Sequence, residues 1–111
     1  MPGSTPPVEI SDLVRAIRTG RFRVTDHADE EAANDRLSLD GVLGSVQNGE
    51  IIESYPTDKP YPSCLVLGRT TEGAIIHSVW AYNGASGWAV LVTVYRPDPN
   101  RWIDWRTRKR P

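Results

Sequence analysis

Cysteine occurs once in the 111 residues, at Cys64, which rules out an intrachain disulfide framework and a cysteine-based zinc site. Histidine occurs twice, at His27 and His77, so little of the chain titrates near neutrality. No glycine-rich phosphate loop, nucleophile elbow or zinc signature is present. Apolar runs stop at about eight residues, far short of the roughly 20 needed to cross a bilayer. A membrane protein is not expected, and a cytoplasmic one is. The opening residues carry no basic and apolar pattern of a signal peptide.

What is present is ordinary globular composition, 39% hydrophobic and 24% charged, in a length that suits one domain. Net charge is −1 but unevenly spread. Met1–Tyr95 holds seven Lys or Arg against twelve Asp or Glu, and Arg96–Pro111 holds six against two. A basic end of this kind suits a phosphate backbone or an acidic partner, or is simply a solvated terminus. The chain is expected to comprise a disordered leader at 1–7, one domain at 8–103 and a basic tail at 104–111.

Helical periodicity comes first. Ile10–Arg18 places Leu13, Val14 and Ile17 on one face, with Ser11 as the expected N-cap and Gly20 as the stop. Arg21–Thr25 alternates like a short strand. Asp26 is expected to cap a second helix running to about Asp35, and Ser38 a third over Leu39–Gln47. After Glu50 the period becomes two. Glu50–Tyr55, Cys64–Arg69, Ala74–Asn83 and Trp88–Arg96 read as strands, joined by hairpin-length links that require antiparallel pairing. The fold class is therefore α+β, with short helices on one face of a mostly antiparallel sheet of four to five strands. The link 56–63 is longer, proline-rich and a natural place for function.

Several phrases occur together in order: Thr25-Asp26-His27-Ala28, Asn48-Gly49-Glu50 through Tyr55-Pro56, Lys59-Pro60-Tyr61-Pro62 through Gly68, Ile76-His77-Ser78-Val79, and Val94-Tyr95-Arg96-Pro97-Asp98-Pro99 with Trp102. In this order and spacing the chain resembles a bacterial family known as domain-of-unknown-function family 4258. The resemblance implies a fold similar to the RelE-like and MqsR-like toxins of toxin–antitoxin pairs. It also implies a small zinc-finger-type antitoxin as partner, and metal-independent cleavage of single-stranded RNA. The family usually carries two arginines where this chain has Glu31 and Asp35.

Cleavage of RNA through its 2′-hydroxyl requires a base, an acid and cations around the phosphorus. His27 and His77 are the candidates for base and acid; each is equally readable as a histidine that hydrogen-bonds its surroundings. Lys59 and Arg96 are candidate phosphate ligands, and Tyr95 a stacking or orienting group. Tyr55, Tyr61, Arg106, Arg108 and Lys109 are candidate RNA contacts, with packing tyrosines and solvated cations as the alternatives. The tail arginines are expected outside the packed core. Trp80, Trp88 and Trp102 read as packing residues. The acidic run Asp26–Asp35 spreads its carboxylates around a helix, so neither a metal nor another cofactor is expected. A non-catalytic module that binds protein or nucleic acid with the same sheet and tail is the alternative function.

Overall fold

A computed structural model describes residues 6–110, so most of the leader expected at 1–7 lies outside the described residues. Three short helices precede the sheet. In α1 (Ile10–Arg18), Leu13 and Ala16 are buried, and Gly20 turns the chain at φ +73°. The cap is Glu9 rather than Ser11: the Asp12 carboxylate accepts from the Glu9 N–H at 3.2 Å, which satisfies a donor that the helix itself leaves free. Strand β1 (Phe22–Val24) follows. Thr25, one residue before the expected Asp26, caps α2 (Asp26–Asn34) by accepting from the Ala28 N–H at 3.0 Å. Ser38 caps α3 (Leu39–Gln47) as expected, and Val42 and Val46 are fully buried.

Strands β2 (Glu50–Tyr55), β3 (Ser63–Arg69), β4 (Ile75–Asn83) and β5 (Trp88–Tyr95) form an antiparallel meander. The sheet order is β1-β5-β4-β3-β2, and β1 joins the far edge parallel to β5. Period-two patterning identifies a strand but not its partner, and the parallel pairing is a long-range event. The fold is thus α+β with a five-stranded, mostly antiparallel sheet. No helix among the described residues is long and apolar enough to cross a membrane.

The helices cover one face of the sheet, over Cys64, Val66, Ile76, Trp80, Leu91 and Val94. Contact is closest at Gly68, where an added Cβ would lie 2.3 Å from the Ser45 carbonyl oxygen. The opposite face is partly covered by the chain after β5. It turns back as a small hairpin of β6 (Trp102–Ile103) and β7 (Thr107–Arg108). The segment at 104–111 therefore includes one arm of a hairpin whose other arm holds Trp102, only 6% exposed. Trp88, expected to pack, is 40% exposed on β5.

Candidate functional site

His77 occupies the face opposite the helices because alternation along β4 sends its neighbours Ile76 and Ser78 the other way. Its register partner across the sheet is Tyr95. The β4–β5 register shifts between Val79 and Trp80, leaving Val92 as the extra residue, so Thr93 and Tyr95 stand opposite Val79 and His77. The His77 ring is fully buried between Tyr95 and Trp102, edge-on to each, with the Trp102 ring 4.4 Å away. Nε2 lies 2.6 Å from the Trp105 carbonyl oxygen, an acceptor only, so Nε2 carries the proton. Nδ1 then accepts from the Tyr95 hydroxyl at 3.2 Å. Burial pushes the His77 pKa below its ordinary 6.5, against the raising effects of the Trp105 carbonyl and Glu53, and keeps the ring neutral. Burial likewise raises Tyr95, which stays a hydroxyl.

The hairpin is fastened to β2 by ion pairs. Arg108 donates to both carboxylate oxygens of Glu53, at 2.9 and 3.1 Å, and its guanidinium lies 4.7 Å over the Trp102 ring. Arg106 pairs with Glu50. The Tyr55 hydroxyl donates to Glu53. Arg108 holds the Glu53 carboxyl below its usual range, while burial and then the Glu53 bond push Tyr55 up to about 12. Arg106, Arg108 and Tyr55 thus serve first to hold the hairpin in place.

Beside this strip lies an open cleft of about 510 Å³, lined by Tyr95 and Trp102. Arg96, Arg101, Arg108, Lys109 and Arg110 surround it, with Asp98 as the single acid. Arg101, Lys109 and Arg110 make no side-chain ion pair among the described residues. Tyr95, Arg96, Arg108 and Lys109 are sequence candidates that the fold brings together; Arg101, Trp102 and Arg110 complete the lining.

The remaining candidates lie apart. His27 is exposed on α2 and pairs through Nε2 with Glu31 at 3.0 Å; Glu31 also accepts from the Thr93 hydroxyl. Arg96 donates its backbone N–H to the Asp35 carboxylate and its Nε–H to the Asp35 carbonyl, both at 2.9 Å. Glu31 and Asp35 thus tie α2 to the end of β5. Lys59 and Tyr61 are in the β2–β3 loop at the other end of the sheet, where Pro62 accepts from the Tyr82 N–H. His77 is five positions before Tyr82 on β4, about 16 Å along the strand. Among the described residues, no group of three or more His, Cys, Asp or Glu is placed to hold a metal ion.

A family model described as "Domain of unknown function (DUF4258)" matches residues 24–96, more than half of the chain. The chain belongs to the DUF4258 family. No curated protein and no solved structure matches it. Within this DUF4258 chain the match spans His27, His77, Tyr95 and Arg96. It stops before the β6–β7 hairpin, which supplies Arg101, Trp102, Arg108 and Lys109 to the cleft. Glu53 and Trp105 are not legible as site residues in the sequence, because their roles depend on that hairpin folding back. The Trp102–Ile103 and Thr107–Arg108 pair around Asp104 was its faint local signal.

Proposed function

We propose that this DUF4258 chain is a nucleic-acid-binding module that holds single-stranded RNA in the basic cleft. The observation that carries the reading is the ring of Arg96, Arg101, Lys109 and Arg110 around the half-buried Tyr95. Cations neutralise phosphates with release of counterions, and aromatic groups accept unstacked bases, which are the two requirements of single-strand binding. At about 510 Å³ the cleft suits a short single-stranded stretch rather than a duplex. Separation of His27, Lys59 and His77 supports a module over an enzyme built on those three groups.

The test is fluorescence anisotropy with a labelled RNA 12-mer over a range of salt. The expected slope of log K against log salt is about −2 to −3, for three or four phosphates at about −0.7 each. The pair Lys109→Glu and Arg110→Glu should flatten that slope and weaken binding. Salt-independent binding, or none at low salt, would remove the reading.

A second reading is favoured by one contact, the Tyr95 hydroxyl held by buried His77 in the same cleft. It makes the chain a metal-independent endoribonuclease, the RelE- or MqsR-like toxin of a toxin–antitoxin pair with a small zinc-finger-type protein as partner. Tyr95 would pass the 2′-hydroxyl proton to Nδ1 of His77 as the 2′ oxygen attacks phosphorus, Arg96 would steady the phosphorane, and the 5′ oxygen would leave with a proton from Lys109. Cleavage in EDTA should then fall about 10²-fold or more in Tyr95→Phe and in His77→Ala. Cleavage that survives both changes would discard this site.

A further inference from the structure

A second cleft, of about 350 Å³, opens on the other side of the hairpin. Trp105, Asp104, Arg106, Arg69, Asn48 and Glu50 contribute to its lining. Its unusual feature is the backbone of the turn. Asp104 and Trp105 both have positive φ, +49° and +66°, and the Arg106 N–H closes the turn on the Ile103 carbonyl at 3.0 Å. Two consecutive left-handed residues at a hairpin corner normally call for Asn-Gly or Asp-Gly. Asp104 fits; a tryptophan at the second corner is a true outlier, because its Cβ crowds the backbone there. Its carbonyl, held by His77, helps to lock the strained geometry. Glycine would take this conformation freely, so the turn itself gives no reason for an indole. Strain retained at one bulky side chain beside a cleft is a mark of function.

We infer that this cleft is a nucleobase pocket, with Trp105 as the stacking platform and guanine as the preferred base. The inference rests on the RNA-binding reading, since a base seated here belongs to a strand whose phosphates lie in the basic cleft across the hairpin. The lining supplies both halves of a guanine edge. Asp104 is exposed and its carboxylate has no ion-pair partner among the described residues, so it can accept from guanine N1–H and N2–H. Arg69 spends only one weak bond, Nη1 to the Gly73 carbonyl at 3.4 Å, and keeps donors for O6 and N7. Adenine presents an acceptor at N1, which would face the Asp104 carboxylate. Pyrimidines offer less surface to the indole.

The experiment is calorimetric titration of the full chain with GMP, AMP, UMP and inorganic phosphate. GMP is expected to bind at least about tenfold more tightly than AMP, and phosphate alone not to reproduce it. The decisive variant is Trp105→Gly, which relieves the positive φ and should melt no lower than the parent while losing GMP affinity about tenfold or more. Asp104→Asn should bring GMP down to the level of AMP. The pair Lys109→Glu and Arg110→Glu should weaken RNA yet leave GMP within about twofold. GMP binding that is absent to millimolar concentration, equal to AMP, or unchanged by Trp105→Gly overturns the pocket. Trp105-dependent GMP binding without RNA binding upholds the pocket and overturns the strand reading alone.

Discussion

His77 carries no charge in the folded protein, and that has a measurable consequence. Its folded pKa lies below the ordinary 6.5, so between those two values the unfolded chain binds the extra proton. Stability contributed by His77 is therefore complete above about pH 6.5 and drains away as the pH falls toward the folded value. Glu53, also depressed, adds a separate loss on the acid side of its ordinary 4.5. Urea unfolding between pH 7.5 and 5 should show the first decline, and His77→Ala should abolish it. That variant should also cost about 1–3 kcal/mol, because the Trp105 carbonyl loses its buried partner. Cys64 makes a contrasting prediction. Burial pushes its thiol up to about 12, so it should resist disulfide reagents at pH 8 until the chain is unfolded.

Short elements are held here by specific contacts rather than by length. Helix α2 has nine residues and buries only Ala28 and Ala32, too little apolar surface to fix it alone. Glu31 and Asp35 complete the attachment through Thr93 and Arg96. Asp35→Ala should cost about 1 kcal/mol and speed amide exchange at the end of β5, with little change in α1 or α3. Helix α3 depends instead on close approach to β3. Gly68→Ala would drive a methyl group into the Ser45 carbonyl, a backbone atom that cannot move aside, and should cost about 2 kcal/mol or more by denaturant titration. The β6–β7 hairpin is shorter still, and it persists because Trp102 is buried and Arg108 reaches both Glu53 and the Trp102 ring.

For the whole molecule, charge asymmetry becomes geometry. The basic end folds over the sheet, and Glu50 and Glu53 on β2 take up Arg106 and Arg108. Arg96, Arg101, Lys109 and Arg110 are left around one cleft. The molecule thus concentrates positive potential in one place despite a net charge of −1. The proposed nucleic-acid binding should accordingly weaken steeply between 50 and 200 mM salt, by about tenfold or more. Reversing charges on the opposite end of the sheet, as in Lys59→Glu, should change it little.

The helices, the four meander strands and the α+β class follow from the sequence alone, because helical and strand periods are local and the turns between strands are too short for crossovers. Ser38 as a cap is equally local. Tertiary structure decided where β1 paired, since nothing within Phe22–Val24 names Ala89–Leu91 as its partner. It also decided that Thr25 rather than Asp26 caps α2: Thr25 accepts from Ala28 while donating to the Val92 carbonyl, a bond that exists only once α2 lies against β5. For the site, the residue types were legible and their company was not. His77 and Tyr95 are 18 residues apart and meet through strand register, while His77 and Trp105 meet only when the last hairpin folds back. Lys59 and His27 carry suitable chemistry, but the sheet's length and the Glu31 bridge set them away from the cleft. Periodicity records which residues share a face; only the packed chain determines which faces meet.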